Sequence, residues 1–243
     1  MSRFGSGLLR FIYGLYALPV FAALLVAATM MALLLPGLEL RRRATRFFAR
    51  LGLAALLIRL RVSGLSRLPG GSCVVVANHA SYLDGIVMKA ALPPRFSFVI
   101  KQEARATPLL GFLLRRIGSE FVDRSSQGGR QRDARRMMRR AAEGHSLVFF
   151  PEGTFATEAG LRRFHTGAFA TAAWAGVPVV PSIIHGARRA LPNRAVVPRP
   201  GVITVEVLGP LAPAEHGASA QALRDEARRQ IAERLEEPDL LQP

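Results

Sequence analysis

The chain has 243 residues, half of them hydrophobic, and a formal net charge of +16 at pH 7. This length fits one sizeable core with an additional apolar segment better than two separate domains. A single cysteine excludes an intramolecular disulfide. So large a positive charge indicates an anionic partner, but no recognised nucleic-acid motif or aromatic stacking platform interrupts the basic runs, which argues against nucleic acid.

An apolar segment near the start of the chain predicts membrane attachment. From Phe11 no charged residue occurs until Glu39, which exceeds the about 20 residues that span a bilayer. The segment is also longer than the apolar region of a cleaved signal peptide, about 7 to 15 residues, so we interpret it as retained. Arginines are more numerous after it than before it, and the positive-inside rule therefore places the following domain in the cytoplasm.

The next stretch, from Phe47 to Arg61, is apolar with arginines at its edges. We expect it to lie in the membrane interface or to pair with the first helix as a re-entrant hairpin, which a kink at Pro19 would favour. The sequence leaves a single span and a hairpin open. We assign residues 1–62 to a membrane-embedded or interfacial helical segment and residues 63–243 to a second domain.

Beyond residue 63, short apolar strand patterns alternate with helical patterns. The predicted strands are 73–77, 96–100, 119–123, 146–150, 178–184 and 202–208. The predicted helices are 81–91, 106–116, 129–143, 163–175 and 219–236. This alternation predicts an α/β domain with a largely parallel sheet. The tail after Pro238 is expected to fray.

A histidine and an aspartate follow the first predicted strand. His79 and Asp84 are five positions apart, which on an ideal helix is a rotation of about 500° and keeps their side chains apart. If the helix begins near Ser81 or Tyr82, the carboxylate can reach back to the imidazole, fix its tautomer and leave the other nitrogen to accept a proton from a hydroxyl. The alternative is that His79 caps a turn and Asp84 caps a helix.

A second polar motif follows the predicted strand 146–150. Glu152 and Thr154 offer an acceptor and a hydroxyl, and Gly153 lets a substrate approach the main chain. The alternative is an ordinary turn with an exposed glutamate. Two motifs of the same design at strand ends make the structural alternatives less favourable, because ligands of α/β proteins bind at the carboxyl ends of strands.

Other chemistries find little support in the sequence. No G-x-S-x-G motif is present, so Ser81 is a poor hydrolase nucleophile. The only plausible metal cluster is His79, Asp84 and Glu152, and its spacing matches no common metal template, so no metal is predicted.

Residues 78–84 read N-H-x-x-x-x-D and residues 150–154 read F-P-E-G-T. These motifs resemble the first and third signatures of the PlsC-type glycerolipid acyltransferases, the family of 1-acylglycerol-3-phosphate acyltransferases. Residues 118–124 resemble the second signature and residues 177–181 the fourth. Lys101 lies in a segment similar to the family's K-x-E-L, with Ala104 in place of leucine. The resemblance implies a glycerolipid acyltransferase-type α/β domain.

The resemblance also implies a reaction, in which an acyl group moves from acyl-CoA or acyl carrier protein to the free hydroxyl of lysophosphatidate, giving phosphatidate, with no other cofactor. His79 would be the general base and Asp84 would orient it. The Gly153 amide would be a donor to the oxyanion. The residues that the resemblance assigns to substrate binding are Asn78, Lys101, Arg124, Glu152, Gly153 and Thr154, of which Arg124 and Lys101 would contact the phosphate.

The implied partners are the phospholipid bilayer, the lysophospholipid acceptor and the thioester donor. The expected location is a bacterial cell membrane, with the catalytic domain on the cytoplasmic face. Two alternatives remain open. The chain could acylate another lysolipid, such as lyso-ornithine lipid or a lysophospholipid that is being recycled, or it could be a basic membrane-binding protein that keeps the fold without turnover.

Overall fold

The computed structural model describes residues 3–123, 125–154 and 157–241. The helices are α1 (Arg3–Leu34), α2 (Leu38–Ala55), α3 (Leu83–Ala91), α4 (Leu110–Arg116), α5 (Gln127–Ala142), α6 (Gly167–Ala175), α7 (Ala187–Ala190) and α8 (Ala220–Ala232). The strands are β1 (Ile58–Ser63), β2 (Val74–Ala77), β3 (Phe96–Lys101), β4 (Glu120–Val122), β5 (Ser146–Phe149), β6 (Val179–His185) and β7 (Gly201–Val207).

The seven strands form one sheet in the order β1-β7-β6-β2-β5-β3-β4. All neighbouring strands are parallel except β6 and β7, which confirms the predicted α/β fold with a largely parallel sheet. Because β2 lies between β5 and β6 and is parallel to both, the carboxyl ends of these three strands meet at one edge.

The central strand β2 is buried on both faces. Val75 and Ala77 belong to the core cluster that includes α3, whereas Val74 and Val76 belong to the cluster that includes α6 and α8. A strand covered on both faces is expected to be a continuous apolar run without alternation, as this one is. The loop that follows β2 therefore starts from a fixed point in the middle of the sheet.

The N-terminal segment differs from the prediction at its end. Helix α2 stops at Ala55, and Ile58–Ser63 form the edge strand β1, which pairs in parallel with β7 along its whole length. The sequence does contain the pattern of a strand here, since Ile58, Leu60 and Val62 alternate with Arg59 and Arg61. The boundary after residue 62 was thus wrong, because β1 belongs to the sheet.

Three other elements differ from the prediction. The predicted helix 106–116 is a short 3-10 helix at 102–106 followed by α4, because Pro108 interrupts the helical backbone. Helix α6 begins at Gly167, later than the predicted position 163. The tail after Pro238 is not frayed up to residue 241, since Asp239 forms a parallel bridge with Leu161.

The two N-terminal helices form an antiparallel hairpin. Pro36 and Gly37 lie between them, and Gly37 has a φ of 69°. The hydroxyl of Tyr13 near the start of α1 donates to the carbonyl of Leu56 just after α2, at 2.7 Å. The start of α1 therefore lies beside the end of α2.

Helix α1 also contacts the α/β domain, near its middle and near its C-terminal end. The Arg116 side chain donates to the carbonyls of Ala32 and Leu33 at 3.1 and 3.0 Å, and Ala17 belongs to the main core cluster. Within the described residues, Phe11–Leu34 is the stretch long and apolar enough to cross a membrane. A helix that lies along one domain from its middle to its end favours the hairpin over the single span.

Candidate active site

The loop after β2 brings the first motif together. The Nδ1 atom of His79 lies 2.8 Å from Oδ2 of Asp84. The same oxygen accepts the backbone N–H groups of Ala80 and Ser81, at 2.7 and 2.8 Å. Helix α3 begins at Leu83, which places Asp84 in its first turn, where the helix dipole favours a carboxylate. The side-chain contact expected from the sequence is thus present.

The environment of His79 fixes the ring further. The Asp84 side chain is fully buried, and the His79 side chain is 18% exposed. The imidazole stacks on the ring of Phe150, which follows β5, with 4.5 Å between the ring centroids. When Nδ1 carries the proton that it donates to Asp84, Nε2 is the acceptor nitrogen of the neutral ring.

Glu152 joins this loop to a third segment of the chain. Its Oε1 atom accepts the backbone N–H of His79 at 2.7 Å, and its Oε2 atom accepts the backbone N–H of Arg162 at 3.1 Å. Burial raises the pKa of the Glu152 carboxyl above its ordinary value, while the two backbone hydrogen bonds act in the opposite direction. Glu152 therefore braces two loops, and it is 5% exposed.

The Asn78 side chain also connects the loop after β2 to another segment. Its Nδ2 atom donates to the carbonyl of Ile184 at 3.0 Å, and its Oδ1 atom accepts the N–H of Ile184 at 2.8 Å. Both polar ends of the side chain thus bind the backbone of β6. Asn78 thus positions the loop that carries His79, and a contact of Asn78 with the substrate stays a prediction.

Gly153 forms the tip of the turn after β5. Its φ of 80° lies in the left-handed region, which favours glycine over residues with a Cβ atom. Its N–H donates to the carbonyl of Phe150 at 3.0 Å. In this conformation the N–H closes the turn, and its predicted role as a donor to the oxyanion stays a prediction.

A cavity of about 350 Å³ lies beside Glu152. Four of the predicted substrate-binding residues meet there, and the first motif adjoins them through the backbone N–H of His79, which Glu152 accepts. Arg124 is outside the described residues, although its neighbour Ser125 belongs to the wall. The lining residues are Lys101, Glu103, Ser125, Glu152, Gly153, Thr154, Arg162 and His165. Within the described part of the chain, no group of three or more His, Cys, Asp or Glu residues is arranged to hold a metal ion.

A family model described as Acyltransferase matches residues 59–185, which is more than half of the chain. The chain belongs to the acyltransferase family. The match begins within β1 and ends at the last residue of β6, so it includes the strands and loops that carry the cavity.

Two curated relatives of this acyltransferase differ in the lysolipid that they are named for. The 1-acyl-sn-glycerol-3-phosphate acyltransferase BAT2 of Brassica napus is 31% identical over 201 residues, which are 80% of this chain and 57% of that protein. The lyso-ornithine lipid O-acyltransferase of Pseudomonas aeruginosa is 39% identical over 166 residues, which are 65% of this chain and 61% of that protein. The chain thus spans somewhat more than half the length of these relatives.

A solved structure shares the fold of this acyltransferase. The crystal structure of the 1-acyl-sn-glycerophosphate acyltransferase PlsC from Thermotoga maritima superposes with a TM-score of 0.79 at 21% sequence identity. The superposition covers 93% of this chain and 95% of that one, so it includes the N-terminal hairpin as well as the sheet.

The sequence motifs of the acyltransferase do not include every residue of the cavity wall. Ser125 is held by Asp123, whose Oδ1 atom accepts both the N–H and the hydroxyl of Ser125, at 2.8 and 2.5 Å. Hydrogen bonds from Ser125 and Ser126 hold the pKa of Asp123 at about 2. Arg162 lies eight residues beyond the F-P-E-G-T motif, so that motif does not include it.

Proposed function

We propose that this protein transfers a fatty acyl group from a thioester to the free hydroxyl of lysophosphatidate, giving phosphatidate. The observation that carries the proposal is the His79–Asp84 pair, 2.8 Å apart at the carboxyl end of β2. The family and the names of the Brassica and Thermotoga proteins support the choice of reaction. Asp84 binds the ring of His79 and Glu152 binds its backbone N–H, which gives the ring a fixed orientation.

In the proposed mechanism His79 is the general base. Its Nε2 atom accepts the proton of the acceptor hydroxyl while the hydroxyl oxygen attacks the thioester carbonyl carbon. The new C–O bond forms and the carbonyl electron pair moves to the oxygen. When that pair returns, the C–S bond breaks, and the thiolate takes the proton from the imidazolium. The products are one ester and one free thiol, with no covalent acyl-enzyme.

The Asp84 carboxylate would stabilise the imidazolium that forms in the first step. Its negative charge is already oriented by the N–H groups of Ala80 and Ser81, so little reorganisation accompanies the proton transfer. Lys101 in the cavity wall would attract the acceptor phosphate. The donor would be acyl-CoA or acyl carrier protein, and no further cofactor takes part.

We place the helical hairpin in a bacterial cell membrane, with the α/β domain on the cytoplasmic face, where acyl thioesters occur. The apolar side chains that α1 exposes support burial of one side of the hairpin in lipid. The arginines of α2 would lie at the level of the anionic headgroups. The exposed apolar residues of α1 include Leu9, Phe11, Ile12, Leu15, Leu18, Phe21, Val26, Met30, Leu33 and Leu34.

A second candidate acceptor is lyso-ornithine lipid. It is favoured by the relative with that name, which at 39% has a higher identity than the Brassica protein. The chemistry of transfer would be the same, because only the group that carries the hydroxyl differs. A protein that keeps the fold without turnover is the third possibility.

The test is acyl transfer from labelled acyl-CoA and acyl carrier protein to both lysolipids, with detergent-solubilised protein. Wild type is compared with His79→Ala and with a control, His216→Ala, whose ring contacts the Ala212 carbonyl outside the site. We expect phosphatidate from wild type and the control only. Product from lyso-ornithine lipid alone would show that this lipid, and not lysophosphatidate, is the acceptor. Absence of transfer with either lipid, in folded protein, would show that the protein is not an acyltransferase in function. If His79→Ala were as active as wild type, His79 would not be the general base.

A further inference from the structure

Arg162 lies in the cavity wall, and none of the four sequence motifs includes it. Its Nη1 atom donates to the carbonyl of Thr154 at 3.1 Å. This is the one hydrogen bond of its guanidinium group within the described residues. A guanidinium has five N–H donors in a planar fork, so most of them are available to a ligand.

The backbone of Arg162 is held from two sides. Its N–H donates to Glu152, and its carbonyl accepts from Nε of Arg228 at 3.1 Å. Arg228 in turn is paired with Asp239 near the end of the described chain, with Nη1 at 3.0 Å from Oδ2. The side chain thus starts from an ordered segment, which lowers the entropy lost when a ligand is bound.

Arg162 is also close to the proposed base. One carboxylate, that of Glu152, accepts the N–H groups of both His79 and Arg162, at 2.7 and 3.1 Å. In 1-acyl lysophosphatidate the free hydroxyl and the phosphate are on adjacent carbons of the glycerol. A base and a phosphate-binding group that serve the same molecule must therefore start from neighbouring segments, as His79 and Arg162 do, since one carboxylate holds both of their backbone N–H groups.

The cavity has charged residues of both signs. Lys101 and Arg162 are its cations at neutral pH, and Glu103 and Glu152 are its acids. Glu152 is already engaged by two backbone amides, and Glu103 is exposed. A lysine is a point charge, whereas the arginine fork matches two oxygens of a phosphate or a carboxylate at once. Arg162 is therefore the group in the described wall with the geometry for bidentate binding.

We propose that Arg162 binds the anionic headgroup of the acceptor through its guanidinium fork and so sets the preference for acceptors that carry an anionic group next to the hydroxyl. The proposal rests on the proposed acyl transfer and adds a specificity-determining residue to it. Thr154 orients the fork through its carbonyl, and Glu152 sets its distance from His79.

The test compares Arg162→Gln and Arg162→Lys with wild type in steady-state kinetics of lysophosphatidate acylation. Arg163→Gln is the matched control, since Arg163 is exposed and is not part of the cavity wall. We expect the KM for lysophosphatidate to rise about 10- to 100-fold in Arg162→Gln, because a charged hydrogen bond to the phosphate is lost. Arg162→Lys should recover part of this loss, and Arg163→Gln should stay within twofold of wild type.

Two readouts separate headgroup binding from a structural role. The substitutions keep the backbone N–H that donates to Glu152, so a binding role predicts an unchanged KM for the acyl donor and a smaller change in kcat. Glycerol 3-phosphate, a soluble mimic of the headgroup, should inhibit wild type and inhibit Arg162→Gln at least tenfold more weakly. A fall in kcat alone, with unchanged inhibition, would overturn the proposal.

The experiments distinguish a wrong acceptor assignment from a wrong role for Arg162. If wild type acylates only lyso-ornithine lipid, the acceptor assignment is wrong, and the same KM comparison is made with that lipid, whose headgroup has a carboxylate. A tenfold rise in KM for Arg162→Gln would then support binding of an anionic headgroup by the guanidinium group and overturn the preference for an anionic group next to the hydroxyl. A KM within twofold of wild type for the acceptor in use overturns the proposal in either case.

Discussion

Two buried groups of charged residues in this molecule have opposite signs. Asp84 and Glu152, at the carboxyl ends of β2 and β5, accept hydrogen bonds from backbone N–H groups. Arg42, on α2, donates to backbone carbonyls instead. In both places the main chain supplies the opposite partial charge. The difference is that the acidic group also binds the His79 ring, whereas the basic group joins the hairpin to the sheet.

The basic group has no acidic partner within the described residues. Arg42 donates to the carbonyls of Ile117 and Arg95, at 2.8 and 3.1 Å, and to the hydroxyl of Ser97. Burial lowers the pKa of Arg42. One turn further along α2, Arg46 donates to the carbonyls of Ala90 and Ala91 at the end of α3. These bonds attach the hairpin through arginines, which in the sequence indicated only the orientation of a membrane segment.

The largest effect is expected in the acidic group, for the substitution of Asp84, and it is a loss of activity. Asp84→Asn keeps the shape of the side chain but removes the charge that stabilises the His79 imidazolium and selects its tautomer. We expect kcat to fall about 10⁴-fold, the order seen for the aspartate of a catalytic triad. The measurement is acyl transfer under saturating substrate.

Asp225→Asn is the control for this variant, since Asp225 is exposed and pairs only with its neighbour Arg224. Near-native kcat in Asp84→Asn, with the fold intact by circular dichroism, would show that the His79 contact is structural only.

The next largest effect is expected in the basic group, for the substitution of Arg42, and it is a loss of stability. Arg42→Met leaves buried carbonyls without donors, so we expect the free energy of unfolding to fall by about 3 kcal/mol. Arg43→Met, next to it on the exposed face, removes one solvated pair with Glu39 and should cost at most about 0.5 kcal/mol. Urea unfolding in one detergent compares the two. Equal losses would contradict the assigned role of Arg42.

A smaller loss of activity is expected on substitution of Glu152, whose partners are backbone amides. Glu152→Gln presents an NH₂ group to one of the two N–H donors, so the variant should behave almost like Glu152→Ala. We expect kcat to fall about 10²-fold in both, through displacement of the His79 loop. Glu158→Gln, on the exposed surface, is the control. A normal kcat in Glu152→Gln would mean that one accepted hydrogen bond is enough.

The smallest effect concerns Lys89, which is 8% exposed and whose ammonium lies 5.7 Å from the Phe98 ring centroid. Burial, with Arg42 and Arg46 nearby, lowers the pKa of Lys89 to about 7. Between pH 7 and 10.5 the unfolded chain holds a proton that the folded chain has lost, so stability should rise with pH in this window. The slope is at most about 1.4 kcal/mol per pH unit.

Lys89→Met removes the titrating group, and its free energy of unfolding should therefore change less between pH 7 and 9 than that of wild type. Unfolding curves at pH 7, 8 and 9 for both proteins measure the difference. The same slope in the two proteins would show that Lys89 is not the group that titrates.

Local patterns predicted the strands that carry the site. The apolar runs of β2 and β5 and the polar residues after them are adjacent in sequence, so the approach of Asp84 to His79 was accessible from spacing and the choice of helix start. Strand β1 was assigned to the membrane segment, because its partner β7 is about 140 residues away. The partners of Glu152 and Asn78 were not accessible either, since they are backbone groups of segments distant in the sequence.

The ordered tail has a practical consequence for handling the protein. Leu161 donates its N–H to the Pro238 carbonyl and its carbonyl accepts the N–H of Leu240, one residue from Arg162. A purification tag joined just behind these residues, or trimming by a carboxypeptidase, would pull on the same backbone that supports the cavity. An epitope inserted at the exposed turn of Gly217, where nothing lies within 4 Å of an added Cβ atom, avoids that strain.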